Sequence, residues 1–517
     1  MNPGALLLNS GVTFTSPGVI TLLGPGSTFT ASQVIALTPP AAACRITGQN
    51  ADTYEFEGVI TGTGALDLCS SPANSVFEFN NTTANNIWSG GLIIETPVAS
   101  PSAARTVELV FPASGNGFGG VTQIPHGAGK GDVMLYSASA VSGSLARLNL
   151  ENNSITINGL YGFSAGVMPA NVVVENSDNV LMSTLTIGDG NANGYYAGVV
   201  LDPNGKTAIT KIGTGTQVFT GTMVHQGPTT ISAGTFELSG SGGFILPPDV
   251  SPSPITIAPG ATLDASERTD GTLTLLTQQS LGGSGTVIGT LAEASGSTVS
   301  EGTSTTIGTL ANTGMTELQG GGTNVVKVQD AMTGPGVGND VLAVSGVINV
   351  QATSASPFTI ALTSLNAGAP GNVANFVNTS TYTWTIATGS SVTGFSPGAF
   401  TVNTAGFSNP LGSGQFFVGN TGTSLVLVFV PTGNDVGSII NPAINGSGNP
   451  TLSGSGGIPG YMYGVESAPT VKGPWSEAGN VTPAANGSWS FTDSSQHNPI
   501  TIFYRVYFPD NPSNPPQ

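Results

Sequence analysis

Along most of the chain, Thr, Val, Ile and Phe alternate with small polar residues over short runs, and Gly, Asn, Asp-Gly or Pro-Gly closes each run. Alternation with period two is the mark of a strand with one face buried, and the closing residues are those that turns demand. The pattern predicts strands at Gly11–Thr15, Ser154–Asn158, Asn171–Glu175, Thr229–Ser232, Thr272–Leu276, Val341–Val350 and Ser424–Val430. No stretch of ten or more residues combines helical spacing with good helix formers. The chain therefore reads as all-β. Thr-rich strands that recur between glycines predict stacked coils, each strand pairing with its equivalent one coil away.

Internal repetition points the same way. The segment Tyr54–Leu68 is echoed loosely by Tyr195–Val200 and Lys211–Thr216, and more weakly by Leu281–Leu291. Trp88-Ser-Gly90 in the first copy matches Phe219-Thr-Gly221 in the second, and strand-like runs follow at Leu92–Ile94 and Thr229–Ile231. Glycines would mark the corners, and apolar residues would point into the interior.

Lys211-Ile-Gly-Thr-Gly-Thr-Gln-Val-Phe-Thr-Gly221 followed by Thr229-Thr-Ile-Ser-Ala-Gly-Thr-Phe-Glu-Leu238 closely resembles the autotransporter-associated β-strand repeat. Gly260–Asp264, Leu281–Val287 and Asn339–Asn349 continue the likeness, which is clearest over 184–350 and extends over 50–430. The resemblance implies a right-handed parallel β-helix of about 22 residues per coil, belonging to a bacterial cell-surface or secreted protein. An autotransporter ends in a membrane barrel, whereas this chain ends in Asn511-Pro-Ser-Asn-Pro-Pro-Gln517, so self-translocation is not carried over. Pro431–Gly460, rich in Gly, Ser, Asn and Pro, reads as a linker. Beyond it, Tyr461, Tyr463, Trp475, Trp489, Phe491, Phe503, Tyr504 and Tyr507 concentrate aromatics, and Asn486-Gly487 is a hairpin signal. This part resembles the small C-terminal β-sandwich of some bacterial surface proteins. The expected organisation is a β-helix over 1–430, a linker over 431–460 and a small antiparallel sandwich over 461–517.

Composition sharpens the picture. The 74 Gly and 35 Pro of 517 residues suggest disorder, but hydrophobic residues at 38% leave enough apolar side chain for a long core. Ten Lys plus Arg against 28 Asp plus Glu give a net charge of −18, which disfavours nucleic acid and acidic polymers as partners. No apolar run is long enough for a transmembrane helix. Met1–Thr30 shows no charged segment followed by an apolar one, so a removed signal peptide, a fragment or another export route is expected.

Candidate chemistry is sparse. Asp189-Gly-Asn-Ala-Asn-Gly194 has the order of a calcium loop, with Asp189, Asn191 and Asn193 as ligands. Val200 stands where its bidentate carboxylate belongs, and Asp202 is off register, so a plain turn is the competing reading. His126-Gly-Ala-Gly-Lys-Gly-Asp132 fails as a phosphate loop, because Ile124 and Gly131 occupy two required positions. His126, His225 and His497 show no zinc spacing, and His225 reads as a solvated corner residue. Cys44 and Cys69 form a disulfide between adjacent coils or are two buried thiols; the disulfide is the expectation. Trp475 and Trp489 are either core or a glycan-stacking pair. The scattered Arg and Lys argue against a catalytic face, and Asp178 and Asp189 form no evident acid pair. The expectation is a structural scaffold without enzymatic activity or cofactor, self-associating into filaments or contacting neighbouring surface proteins. The alternative is a glycan-binding adhesin; a polysaccharide lyase or hydrolase stands third.

Overall fold

The computed structural model describes residues 44–507 apart from short segments, the longest being 112–120, together with the backbone of four short strands before Cys44. Nearly all regular structure is β, and the helical pieces are three-residue turns at Pro169–Asn171, Asp189–Asn191 and Pro397–Ala399. The chain divides into two compact units, Met1–Leu281 with Gly285–Gly289, and Gly282–Ser284 with Thr290–Gln517.

The first unit is a parallel β-helix. One ladder runs through Cys44–Gly48, Leu66–Ser70, Leu92–Thr96, Val133–Ser137, Leu160–Ser164, Gly194–Tyr196, Thr216–Phe219, Thr235–Leu238, Thr262–Asp264 and Thr286–Ile288, every pair parallel. A second ladder runs from Thr53–Phe56 to Gly243–Phe244, and a third from Ile155–Ile157 to Ile255–Ile257. Strand pleating makes each ladder two-faced. On the third, Ile157, Ile187, Lys211, Ile231 and Ile257 stand in register on successive coils, and all are buried. The alternate positions carry a column of Thr156, Thr186, Thr210, Thr230 and Thr256. Branched side chains suit this surface, which explains the Thr-rich composition.

Coil length is not constant. Asn193 and Thr216, bonded across one coil boundary, are 23 residues apart, whereas Thr96 and Ser137, also one coil apart, are separated by 41. The expected uniform coil of about 22 residues fails because insertions at corners leave the ladder intact. Glycine is required where corners stack: Gly213 has φ +65°, and a Cβ there would collide with the Gly188 carbonyl oxygen one coil earlier.

The proposed echo between Tyr54–Leu68 and Tyr195–Val200 is not structural. Tyr54 lies in the second ladder and Tyr195 in the first. Trp88 precedes a first-ladder strand, whereas Phe219 ends one. The weak third echo is in phase, since Thr216, Thr235, Thr262 and Thr286 form one column.

The second unit continues with parallel coils and then changes. Val341–Val350 is two strands, Val341–Val344 and Val347–Val350, broken at Ser345-Gly346. Tyr382–Thr388 is parallel to Val341–Val344 but antiparallel to Ser424–Val430, which pairs antiparallel with Gln415–Asn420. The strand expected at 424–430 is therefore present, but as part of a hairpin that ends the parallel ladder.

Two small antiparallel sheets follow. One contains Pro450–Ser455 and Trp489–Thr492; the other contains Tyr463–Ala468, Ser476–Val481 and Phe503–Tyr507. Leu452, Ile458, Tyr461, Tyr463, Val465 and Trp489 share one core with Val426, Val428 and Val430 of the hairpin. The expected boundaries thus need correction. Residues 450–460 belong to the sandwich rather than to a linker, and the sandwich shares a compact unit with the last coils. Its own apolar content is too small for an independent core, so it borrows one face of the hairpin.

Candidate functional site

The calcium-loop candidate lies in the first unit, where three corners stack. Asp189 Oδ2 is 2.5 Å from His126 Nδ1, and Asp189 Oδ1 accepts from Gly190 N at 2.9 Å. Asn191 Oδ1 accepts from Thr214 N at 2.9 Å, and Asn193 Oδ1 from Thr216 N at 2.7 Å. On the other side, Asn158 Oδ1 accepts from Gly127 N, while its Nδ2 donates to the carbonyls of Gly127 and Lys130. The hydrogen bond from His126, foremost, holds the Asp189 carboxyl below the usual carboxylate range. Asp189 Oδ2, Asn191 Oδ1 and Asn193 Oδ1 are bonded to the neighbouring coils, so in this turn the three side chains stitch corners together. The glycine-rich stretch from His126 is likewise a stacked turn.

The outer face of the first ladder carries two charged and aromatic columns. Arg45 Nε and Nη2 reach Asp67 Oδ2 and Glu95 Oε2, both at 2.6 Å, across three coils. Further along the same face, Met134, Tyr161 and Tyr195 stand in register, flanked by Tyr136 and Phe163. Phe163 is 37% and Tyr195 40% exposed, with their rings 5.7 Å apart and 10° from parallel. This is a ladder of aromatic edges facing solvent.

The second ladder brings together a group that the sequence reading treated as scattered. Arg147 Nη1 lies 3.1 Å from Glu175 Oε1 and 3.6 Å from Glu108 Oε1. Asn149 Nδ2 is shared among Glu108 Oε1 at 2.7 Å, Glu151 Oε1 at 2.8 Å and Ser177 Oγ at 2.9 Å. Burial, foremost, pushes the Glu175 carboxyl up. No spacing in the chain announces this group. Only register places Glu108 beside Arg147 and Asn149 beside Glu175.

The remaining candidates separate clearly. His225 is buried, not solvated: it is 3% exposed, and Nε2 lies 2.7 Å from Thr229 Oγ1. Cys69 is a free, buried thiol. Cys44 pairs with Leu66, whereas Cys69 pairs with Thr47. Three positions along a strand are about 10 Å, beyond the roughly 7 Å Cα reach of a disulfide. The expected bridge is therefore replaced by a thiol that burial pushes up to about 11, unreactive at neutral pH. The side chain of Cys44 lies outside the described residues.

Trp489 is a core residue of the sandwich, which removes it as a glycan-stacking candidate. Trp475 is half-buried, with the Arg505 guanidinium 4.7 Å from its ring centroid and Arg505 Nε 2.5 Å from Glu466. Trp88, Trp384 and Trp489 are all nearly inaccessible. Iodide should therefore quench Trp475 almost alone, and Trp475→Phe should abolish most of the quenchable fluorescence. Equal quenching of the variant and the parent chain would contradict this placement.

The first unit is thus a parallel β-helix whose polar corners are bonded coil to coil. Residues 209–238 match the family model of the passenger-associated-transport-repeat. They span Lys211, Gly213 and the strands Thr216–Phe219, Thr229–Ile231 and Thr235–Leu238. No curated protein sequence matches the chain. A passenger repeat implies a surface or secreted location, and among the described residues no helix is long and apolar enough to cross a membrane.

Proposed function

We propose that the chain is a non-enzymatic structural scaffold of a bacterial surface or secreted layer, acting as a stiff spacer that presents its sides to neighbours. The observation that carries this reading is the corner stack at Asp189, Asn191 and Asn193, where polar side chains hold adjacent coils together. Regular backbone ladders resist bending because every strand is paired on both sides. Self-association through the sides fits better than stacking at the C-terminal end, because an antiparallel hairpin ends the ladder there and the sandwich packs on it.

A panel of neutral and acidic polysaccharides incubated with the protein tests the non-enzymatic reading, and no product is expected. The Glu108–Glu151 pair sets the sharpest version, since an oxygen of each carboxylate contacts the same Asn149 amide nitrogen, a closeness compatible with the roughly 5 Å carboxyl separation of retaining glycosidases. Product that disappears in Glu108→Gln or Glu151→Gln would overturn the scaffold reading. A second reading, glycan adhesion, is favoured by the exposed ladder of Phe163 and Tyr195. Glycan-array signals that vanish with Tyr195→Ala but persist with Trp475→Ala would establish it.

A further inference from the structure

One ion pair in the second unit is unlike the others. Lys327 lies in the strand Thr323–Val328, and Asp340 directly precedes the strand Val341–Val344. Lys327 Nζ is 2.6 Å from Asp340 Oδ2, and the two side chains are 2% and 0% exposed. Every other ion pair among the described residues uses an arginine or a histidine and has a partly exposed partner. A guanidinium keeps its proton, whereas a lysine that gives one up becomes a nucleophile. Only here does an amine of this kind touch a carboxyl away from solvent.

The surroundings hold both groups in place. Asp340 Oδ1 accepts from Gly308 N and Oδ2 from Lys327 N, both at 2.8 Å. The two backbones are tied as well, since Asp340 N donates to the Lys327 carbonyl at 3.0 Å. Lys327 Nζ also donates to Ser300 Oγ at 3.1 Å and to the Glu301 carbonyl, which anchor it against the carboxyl. An amine and a carboxyl fixed in contact react as if at very high concentration. A charged pair kept from water carries a desolvation cost that a neutral product removes. Burial, foremost, pushes the Asp340 carboxyl up to about 6 against the pull of Lys327, which eases the proton transfer that makes both groups neutral.

We propose that Lys327 and Asp340 are a modification site, at which the two side chains condense into an intramolecular amide. The ammonium first gives a proton to Oδ2, the oxygen it already contacts. The Nζ lone pair then forms a bond to Asp340 Cγ, and the carbonyl electron pair moves onto Oδ1. That oxygen faces the Gly308 N–H, a donor placed where negative charge develops. A second proton passes from Nζ to Oδ2, the Cγ–Oδ2 bond breaks, and one water leaves. The third proton stays on the amide nitrogen, within reach of Ser300 Oγ and the Glu301 carbonyl. No oxidant, reductant or further reactant is consumed. The bond closes 328–339 into a covalent ring, so tension along the chain cannot extend that turn. It forms whether or not the protein serves as a spacer.

Mass spectrometry of the full chain, folded and then unfolded in denaturant, tests this. The parent chain should be lighter than its sequence by one water. Arg268, Lys327 and Lys472 are consecutive cationic residues, so trypsin should cut an unbonded chain into 269–327 and 328–472. The bonded chain should instead give a single peptide, 269–472, because the Lys327 amine is blocked. Lys327→Arg keeps the positive charge but cannot condense; it should show its full mass and be cut after position 327. Asp340→Ala should likewise restore full mass and cleavage after Lys327. A parent chain of full mass that is completely cut after Lys327 overturns the proposal and leaves an ordinary buried ion pair. Loss of water that persists in Lys327→Arg also overturns it, since the dehydration then lies elsewhere. The mass of the parent chain decides the matter even where a variant fails to fold.

Discussion

Trp88→Ala is expected to lower the stability of the first unit by about 3–5 kcal/mol, the range for truncating a buried aromatic. Trp88 is 1% exposed and meets Phe79 edge to face at 6.1 Å. Phe79 in turn contacts Phe56 at 5.6 Å and Phe111 at 6.4 Å, and Phe77 stacks on Tyr54 at 5.4 Å. These rings belong to successive coils, so the cavity left by alanine would sit between rungs that cannot close without breaking register. Collapse is thereby blocked, which places the cost toward the upper end of the range. Denaturant melts of the full chain measure it. A loss below 1 kcal/mol would mean that the ring column does not hold the coils together.

Acid should destabilise the same unit through His225. Burial, foremost, lowers its imidazole from 6.5 to about 4, opposed by the nearby Asp202 carboxylate. Its Nε2 pairs with Thr229 Oγ1, which also reaches Ser253 Oγ at 3.0 Å, and Nδ1 has no partner. Above pH 6.5 the ring is neutral in both folded and unfolded chains, and its contribution is complete. Between 6.5 and 4 the unfolded chain takes up a proton that the folded one refuses, so stability falls with falling pH. A shift of that size corresponds to roughly 3 kcal/mol. Buried carboxyls such as Glu175, whose proton affinity is raised, act in the opposite sense over the same range. The histidine contribution is therefore read as the difference between the parent chain and His225→Gln, which should lose this part of the acid slope. Parallel pH profiles for the two proteins would show that His225 charges freely in the fold.

Trp88 and His225 also show how far sequence pattern reaches. The sequence matches Trp88 with Phe219 at one aromatic step, and the burial of position 88 was readable from that match although the two residues hold different places in the coil. The histidine was not, because a corner residue can face either way and only the neighbouring coil decides. Thr229 and Ser253 close over that space from successive coils. The same limit explains the calcium-loop reading. Asp189, Asn191 and Asn193 have the residue types and spacing of a cation loop, yet the backbone amides of Thr214 and Thr216 reach their oxygens from the next coil. Conversely, Arg147, Glu108 and Glu175 are far apart in the chain and became neighbours only through register.

Local pattern by itself determined the all-β character, the individual strands, the glycine corners and the repeat at Lys211–Leu238, because each depends on residues close in sequence. Alternation fixes which face a strand buries, and Gly or Asn fixes where it turns. Only the tertiary structure decided which strands become neighbours. Coils of unequal length slide residues past one another without disturbing the ladder, so the partner of any side chain depends on the insertions between them. That is why Cys69 lies beside Thr47 rather than Cys44, why the strand at 424–430 runs antiparallel, and why Asn324 meets Glu301 in the interior.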